Sequence, residues 1–349
     1  MLQLQGLAHL GLPARALLFN DTLVAERLAD KHIPFDVVSE AQPLPAFLAE
    51  GIRTVRRVNP SLVVSHGYKE GIIAASCRRP WVAIIHGHQE GYRGWAAFKR
   101  ASYDVLYRTL LRRQAARVIT VSADLGRRIG IDGCTHHRVI HNAYAPATDS
   151  AVPFEVKHPA IVCLGRLAGI KRLDLALGAF LRVWSQRREQ GVSLPHLYLA
   201  GEGPLRERLE TEAASSHAKD HVHFLGFIHH PTALLRSADL LLITSDSEGI
   251  PTALLEAAAS DTPAVCSRVG GIPEVLAALP SYPATLFDAG DEASCAEQIT
   301  AQLEIQYPPA RQEETREHLS KHFSPDIVVR RYAEVYRQVE SEHRPGTST

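Results

Sequence analysis

The chain has 349 residues, of which 45% are hydrophobic and 22% are charged. This length and composition are typical of a globular protein with two domains, each large enough for its own core. No apolar run approaches the roughly 18 residues that a membrane helix needs, which disfavours an integral membrane protein. The start of the chain has no basic region followed by an apolar segment, so no signal peptide is predicted.

The cysteines predict a reducing, cytoplasmic location. There are five of them, an odd number, and no two form a CxxC pair. Such spacing argues against a disulfide framework and against a structural zinc site.

Charge is distributed unevenly along the chain, although the formal net charge is zero. Within residues 1–150, Lys and Arg exceed Asp and Glu by seven, and the remainder has the opposite imbalance. The first part is therefore the better candidate to face an anionic partner. A solvated basic surface is an equally good explanation.

Residues 1–145 are predicted to form a doubly wound α/β domain. A helical pattern over residues 1–10 opens it, and helical patterns then alternate with short apolar runs. The runs that predict strands cover residues 14–19, 35–38, 62–65, 82–85, 118–121 and 139–140. This alternation indicates βαβ units, whose parallel strands are covered on both faces.

A second domain of the same kind is predicted at residues 160–324, after a linker at 146–159 that contains three prolines. Its strands are predicted at residues 160–164, 196–200, 222–225, 240–243, 264–267 and 284–287. A last helix over residues 325–340 has apolar residues at spacings of one, three and four, so it should pack on another element. A disordered tail is predicted for residues 341–349.

The stretch after the apolar run 240–243 is the strongest candidate for a ligand site. Ser247, Glu248 and Gly249 form a turn, and Pro251 suits the first position of a helix. A strand, a turn and a helix start place free backbone N–H groups at the edge of a sheet, where phosphates bind. Glu248 and Glu256 flank this position, and two carboxylates there suggest a sugar nucleotide. A solvated loop acid and a helix-face acid are the alternative.

Positively charged residues follow a second predicted strand. Gly165 and Arg166 follow the run 160–164, and Lys171 comes five residues after Arg166. Glycine permits a tight turn, and the two cations can converge on an anion above the sheet edge. Taken alone, such a pair is more often a surface feature.

Glycines follow three further strands. Gly201 and Gly203 do not complete a dinucleotide fingerprint, because Arg206 stands where the third glycine belongs. A Walker A sequence is also absent, so NAD enzymes and P-loop kinases are disfavoured. Gly226 with Phe227 could present backbone amides to a base, and the pair 270–271 would let the backbone approach a ligand. Ordinary turns explain both equally well.

Together these motifs resemble the retaining glycosyltransferases of family 4, also called glycosyl transferases group 1. The resemblance covers nearly the whole second domain. It is carried in order by Gly165-Arg166-Leu167 with Lys171, Gly201-x-Gly203-Pro204, Leu225-Gly226, Ser247-Glu248-Gly249 with Glu256, and Gly270-Gly271 with Glu274.

The resemblance implies a GT-B fold, in which two Rossmann-like domains face each other across a cleft and the second binds the nucleotide-sugar donor. It implies that Arg166 and Lys171 hold the diphosphate and stabilise the leaving group. Glu256 would accept the ribose hydroxyls, and Glu248 would contact the donor sugar. Further donor contacts are expected from Gly165, Gly201, Gly203, Gly226, Phe227, Ser247, Gly249, Ile250, Gly270 and Gly271.

The family resemblance also implies the chemistry. The expected reaction moves a hexose-type sugar from a UDP- or GDP-sugar to a glycan or lipid-linked glycan, in cell-surface polysaccharide synthesis. No metal and no cofactor are expected, since two cations and a helix start replace the ion, and the sequence has no Asp-x-Asp at this site.

In the first domain, His86 follows the run 82–85 and looks like the histidine that the family places near the donor sugar. Its spacing from His88 would suit a metal pair, but no third ligand is evident. Residues 91–113 mix aromatic and basic side chains, which suits peripheral contact with the inner face of an anionic cytoplasmic membrane. A long helix with a buried aromatic face is the alternative, and no nucleic-acid motif accompanies the charge.

The front of the chain departs from the family pattern. The family opens with a strand and a glycine-rich turn, whereas this sequence starts inside the first helix, and a first strand lies centrally in a doubly wound sheet. Either the recorded start lies too far downstream, or the protein is a specialised or degraded member. A catalytically impaired donor-binding protein and a sugar-nucleotide epimerase on the same fold therefore remain alternatives to the transferase.

Overall fold

A computed structural model describes residues 2–20, 22–87, 95–144, 154–305 and 307–343. The chain divides into two compact units. The first unit comprises Met1–Ala143 together with Phe323–Thr349, and the second comprises Tyr144–His322. Each unit has its own parallel β-sheet structure.

The strands within the described ranges are β1 (Ala16–Leu18), β2 (Phe35–Val37), β3 (Val63–Ser65), β4 (Trp81–Ile85), β5 (Arg117–Thr120), β6 (His137–Val139), β7 (Ala160–Leu164), β8 (His196–Ala200), β9 (Val222–Gly226), β10 (Leu240–Ile243), β11 (Ala264–Ser267) and β12 (Ala284–Phe287). Each corresponds to one of the apolar runs in the sequence, within two residues at either end. The predicted strand positions are therefore confirmed.

The α-helices are α1 (Leu2–His9), α2 (Thr22–Asp30), α3 (Leu44–Val58), α4 (Tyr68–Ala75), α5 (Trp95–Arg113), α6 (Ala123–Arg128), α7 (Leu173–Gln190), α8 (Arg206–Ala214), α9 (Pro231–Arg236), α10 (Thr252–Ala259), α11 (Ile272–Ala278), α12 (Glu292–Leu303), α13 (Pro309–Phe323) and α14 (Pro325–Glu342). They alternate with the strands as the βαβ pattern predicts. All strand pairs in the described ranges are parallel.

The second unit is a complete doubly wound sheet. Its strands lie in the order β12-β11-β10-β7-β8-β9. The chain builds outward from β7 to β9 and then returns to place β10 on the other side of β7. This reversal makes the boundary between β7 and β10 the topological switch point, where open α/β sheets bind ligands beyond the strand ends.

Burial explains why β7 and β10 lie in the middle of this sheet. All four residues of β10 are buried, and so are the first four of β7. The apolar face of α7, with Phe180 and Trp184, packs against the same cluster as Leu199 and Leu240. Such continuous apolar strands need cover on both faces, and the flanking helices provide it.

The first unit has its strands in two separate sheets. One pairs β1 with β2, and the other has the order β3-β4-β5-β6. In a doubly wound sheet the first strand lies between these two groups.

Helix α14 belongs to the core of the first unit. Its side chains Val328, Tyr332 and Tyr336 are at most 5% exposed. They share an apolar cluster with Val82 and Ile84 of β4. A helix that follows the second unit in sequence therefore stabilises the first one.

The C-terminal helix is longer than the sequence predicted. Helix α14 continues to Glu342, so the prediction that a disordered tail begins at residue 341 is wrong for its first two residues. The apolar face of the helix extends to Val339, which is fully buried and anchors the last turn. Residues 344–349, and residues 145–153 of the predicted linker, lie outside the described ranges.

Replacing Tyr332 by alanine should destabilise the first unit by about 3–5 kcal/mol, because it leaves a cavity beneath β4. Hydrogen exchange followed by mass spectrometry should show faster exchange in β4 and β5 and unchanged exchange in β7 and β10. Glu334→Ala, at an exposed position of the same helix, is the control and should change stability by no more than about 0.5 kcal/mol. Loss of protection in β7 or β10 instead would contradict this assignment of α14.

Candidate functional site

A crevice lies at the carboxyl ends of β7 and β10, at the switch point of the second unit. Gly165, Arg166, Lys171, Ser245 and Glu248 all line it. These residues come from two loops separated by more than 70 residues of sequence. The fold therefore brings together the cationic motif and the acidic motif that the sequence analysis considered separately.

The loop after β7 is shaped by close contact with the loop after β8. Gly165 has φ +142°, and Gly201 has φ +147°. A Cβ atom on Gly201 would lie 1.9 Å from the carbonyl oxygen of Gly165, and one on Gly203 would lie 2.3 Å from that of Leu167. Leu167 donates its backbone N–H to Glu202 at 2.9 Å. Glycine is needed here because the two backbones touch.

The backbone around Lys171 is fixed by hydrogen bonds to the end of β10. The hydroxyl of Thr244 donates to the carbonyl oxygens of Lys171 and Arg172, each at 2.9 Å. The backbone N–H of Asp246 donates to Ile170 at 2.9 Å. Thr244 is 1% exposed, so the start of α7 is fixed to the end of β10 by buried hydrogen bonds. Arg166 is exposed on the same loop.

Glu248 and Lys171 form an ion pair across the crevice. Lys171 Nζ lies 2.5 Å from Glu248 Oε1, and the hydroxyl of Ser245 donates to the same oxygen at 2.6 Å. The side chain of Glu248 is 10% exposed and that of Lys171 is 28% exposed. The carboxylate therefore neutralises Lys171, while Arg166, which pairs with no carboxylate of the described residues, keeps its positive charge at the mouth of the crevice.

The loop after β11 packs on the same acidic motif. Gly270 has φ +55°, and a Cβ atom there would lie 1.9 Å from the carbonyl oxygen of Glu248. Gly271 donates its N–H to Gly249 at 2.8 Å. The hydroxyl of Ser267 donates to the carbonyl of Ser245 at 2.7 Å. The predicted glycine pair thus supports the Glu248 loop directly.

Glu256 lies on the second turn of α10 and is half-buried. Burial raises the pKa of its carboxyl group, and the carboxylate makes no hydrogen bond with any described residue. A carboxylate in this situation gains stability from hydroxyl donors. Glu256 is not one of the residues that line the crevice.

Pro251 is the N-cap of α10, with an extended ψ of 118°. The prediction that it takes the first helical position is therefore off by one residue.

The remaining predicted donor residues lie on two strand ends. Gly226 ends β9 and accepts a hydrogen bond from the N–H of Gly201 at 2.7 Å. Phe227 follows it and is 68% exposed, with its ring edge-on to His229. Ser247 is half-buried and Ile250 is buried in the loop that carries Glu248. The aromatic ring therefore lies two strands from β7, at the same edge of the sheet.

His86 lies in the first unit, directly after β4. Its Nε2 atom is 2.9 Å from Nδ1 of His66, a residue that the sequence analysis missed. The signal was present, because a His-Gly pair follows β3 at residue 66 as it follows β4 at residue 86. Parallel neighbouring strands bring such residues to the same edge.

Several predictions fall partly outside the described residues. Residues 88–94, which include His88, lie outside the described ranges, and so do the side chains of residues 95–103. On the described part of α5, Val105 and Leu106 are 62% and 49% exposed.

Among the described residues no group of three or more His, Cys, Asp or Glu side chains is arranged to hold a metal ion. Within those same ranges, no helix combines the length and hydropathy needed to cross a membrane.

Comparison with known families agrees with this geometry. Residues 147–322 match the family described as glycosyl transferases group 1, and residues 2–143 match the glycosyl transferase 4-like domain. The two matches correspond to the two units. The chain belongs to the glycosyl transferases group 1, and the resemblance seen in the sequence is confirmed.

Two curated relatives illustrate the similarity. WcaL of Escherichia coli K12, named as a putative colanic acid biosynthesis glycosyltransferase, is 30% identical over 290 residues, which are 77% of this chain and 68% of WcaL. A GDP-mannose-dependent phosphatidylinositol dimannoside mannosyltransferase of Mycobacterium tuberculosis is 37% identical over 121 residues, covering 34% of this chain and 29% of that protein. The chain spans about half to two thirds of the length of several curated relatives that it matches.

HepE of Anabaena, solved in complex with UDP-glucose, has the same fold. Its TM-score is 0.77 at 19% identity, and the alignment covers 97% of this chain and 94% of HepE. The fold class predicted from the sequence, GT-B with two Rossmann-like domains, is therefore confirmed.

Replacing Glu248 by glutamine should strengthen binding of free UDP or GDP by roughly three- to tenfold at low salt, because Lys171 loses its counter-charge. Isothermal titration calorimetry measures this change. Glu292→Gln, which removes a carboxylate paired with Arg182 away from the crevice, should leave the affinity unchanged. Unchanged or weaker binding by Glu248→Gln would show that the ion pair does not compete with a diphosphate.

Replacing Gly270 by alanine should disrupt the crevice, because the new methyl group would overlap the carbonyl oxygen of Glu248. The matched control is Gly290→Ala, where φ is +86° and the new methyl group would meet no atom within 4 Å. The control should cost about 1–2 kcal/mol from backbone strain alone. Gly270→Ala should lose more stability and also lose nucleotide binding, measured by thermal shift with UDP and GDP. Equal effects of the two variants would contradict the close contact.

Proposed function

We propose that the protein is a metal-independent, retaining glycosyltransferase that moves a hexose from UDP- or GDP-sugar to a glycan or lipid-linked glycan. The observation that carries the proposal is the crevice at the switch point, where Arg166, Lys171 and Glu248 meet. Membership of the glycosyl transferases group 1 supports the reaction class. The names of the relatives support a nucleotide-sugar donor and a role in surface polysaccharide synthesis.

The crevice suits a nucleoside diphosphate sugar. Arg166 and Lys171 offer two cations to the diphosphate, and the loop before α10 adds backbone N–H groups. Lys171 leaves Glu248 when it turns to the phosphate, so the carboxylate is released to accept hydroxyl groups of the sugar. Glu256, with its raised pKa and no partner among the described residues, gains most from the two ribose hydroxyls. Phe227 offers an exposed ring at the edge where the base would lie.

In the proposed reaction, the hydroxyl oxygen of the acceptor forms a bond to the anomeric carbon while the bond from that carbon to the diphosphate oxygen breaks. The proton of the hydroxyl moves to the departing phosphate oxygen, so no protein base is required. Attack on the face that the diphosphate leaves retains the anomeric configuration. Arg166 and Lys171 stabilise the negative charge that grows on the leaving group, which is the role that a metal ion has in other transferases.

We propose a glycan or lipid-linked glycan acceptor, with peripheral contact between residues 91–113 and the inner face of the cytoplasmic membrane. The exposed Val105 and Leu106 beside Arg108 and Arg112 support such contact, since apolar and cationic side chains together favour anionic bilayers.

A donor panel tests the proposal. Incubation with UDP- and GDP-hexoses and oligosaccharide or lipid-linked acceptors should release the free nucleoside diphosphate, and NMR of the product should show the α configuration of the donor. Addition of EDTA should not change the rate. Arg166→Ala and Lys171→Ala should each lower kcat by roughly 100-fold, whereas Arg182→Ala, on an exposed part of α7, should not.

Each of the other possible outcomes would indicate a different function. Isomerised donor in the absence of acceptor would indicate the epimerase. Donor binding in calorimetry without transfer to any acceptor would indicate a donor-binding protein, for which the divided sheet of the first unit is the structural reason. Loss of activity with EDTA, restored by a divalent ion, would overturn metal independence.

A further inference from the structure

Arg172 has a backbone conformation that usually belongs to glycine. It stands between a single 3₁₀ turn, Gly169–Lys171, and the first residue of α7, with φ 47° and ψ 46°. A side chain at such a position is strained, because its Cβ atom comes close to the following carbonyl oxygen. Strain of this kind persists only where the surrounding structure holds the residue in place. The contacts of Arg172 therefore indicate what its side chain does.

The guanidinium of Arg172 joins the two loops that carry the ion pair of the crevice. Its Nε atom donates to the carboxylate of Asp174, in the first turn of α7, and lies 3.2 Å from Oδ1. Its Nη1 atom donates to Oδ1 of Asp246, in the loop after β10, at 3.2 Å. Asp246 is two residues before Glu248. Arg172 thus connects the start of α7 to the turn that carries the acidic motif.

Backbone hydrogen bonds fix the point from which this side chain leaves. The buried hydroxyl of Thr244 donates to the carbonyl of Arg172 at 2.9 Å. The same carbonyl accepts the N–H of Leu175 at 3.0 Å, and the N–H of Asp246 donates to Ile170 at 2.9 Å. Both ends of the ion pair are therefore attached to ordered backbone, so little side-chain freedom remains to be lost when the pair forms.

Two ion pairs lie side by side between these loops, and they differ in what they face. Lys171 and Glu248 line the crevice, whereas Arg172 and Asp246 do not. A diphosphate in the crevice would draw Lys171 away from Glu248 and so break the first pair. The second pair would stay intact, because neither of its members faces the ligand. Arg172 can thus hold the two loops together while Lys171 changes its partner.

We propose that Arg172 is a positioning residue of the donor site: by bridging Asp174 and Asp246, it keeps the loops after β7 and β10 joined when Lys171 turns from Glu248 to a diphosphate. The role rests on the proposed function, because it takes the anion in the crevice to be a nucleoside diphosphate. The bridge also accounts for an arginine at a position that suits glycine. A planar guanidinium with several N–H groups can hold two carboxylates at once, and glycine can hold none.

Glycine substitutions separate positioning from folding. Arg172→Gly relieves the backbone strain and removes the bridge, so the Tm should stay within about 3 °C of wild type. Its affinity for UDP and GDP in isothermal titration calorimetry should fall roughly fivefold, which is the size expected from a partly exposed ion pair. The matched control is Arg78→Gly, at an exposed arginine of the first unit with φ 53°. This control should leave the affinity unchanged.

Removal of the partner carboxylate separates a bridge from a direct contact with phosphate. If Arg172 positions the loops, Asp246→Asn should weaken nucleotide binding about as much as Arg172→Gly, and the double variant should bind no more weakly than either. If Arg172 contacts the phosphate instead, Asp246→Asn should strengthen binding, because it frees the guanidinium. Asp288→Asn removes a carboxylate that lies 3.3 Å from Arg268 at the same sheet edge. It controls for the change in charge and should leave the affinity unchanged.

Stronger binding by Asp246→Asn would overturn the proposal, and so would wild-type affinity in Arg172→Gly. A Tm lowered by more than about 5 °C in Arg172→Gly would overturn it as well, because the bridge would then hold the fold rather than the site. If the wild-type protein binds neither UDP nor GDP, the proposed function fails first, and the role of Arg172 fails with it. If the wild-type protein binds them and the variants behave otherwise than expected, the role of Arg172 fails alone.

Discussion

The ion pair between Lys171 and Glu248 is the contact on which the candidate site depends. It joins the loop after β7 to the loop after β10, and these strands are neighbours because the chain reverses direction between them. A carboxylate that is 10% exposed is stable only with partners, and here Lys171 and Ser245 supply them. The same pairing gives Lys171 a counter-charge within the crevice, so under the proposed function a diphosphate would compete with a carboxylate for this cation.

The glycines around this ion pair set its geometry. Gly201 and Gly203 let the loop after β8 touch the loop after β7, and Gly270 lets the loop after β11 touch Glu248. Each contact joins backbone to backbone, which leaves no room for a side chain to adjust. The loops are therefore joined by direct backbone contacts, and Lys171 and Glu248 pair between two of them.

The first unit has a different kind of polar contact at its own sheet edge. There the polar contact is a hydrogen bond between the rings of His66 and His86, next to residues held by buried Trp81 and Tyr107. The paired groups here are two imidazole rings, whereas the second unit pairs a lysine with a carboxylate. The sheet that carries the histidines is separate from β1 and β2, yet α14 fills its core with apolar and aromatic side chains.

The sequence by itself determined the strands of the described ranges, the doubly wound class and the residue types of the candidate site, because buried parallel strands are continuous apolar runs and turns at their ends need glycine or charge. Those are local properties. Only the tertiary structure decided that Lys171 pairs with Glu248, that Gly270 is needed because of a carbonyl far away in sequence, and that α14 belongs to the first unit. It also brought His66 to His86. The matching His-Gly pairs are visible in the sequence, but contact between the two rings depends on strand order and register, which composition and periodicity do not encode.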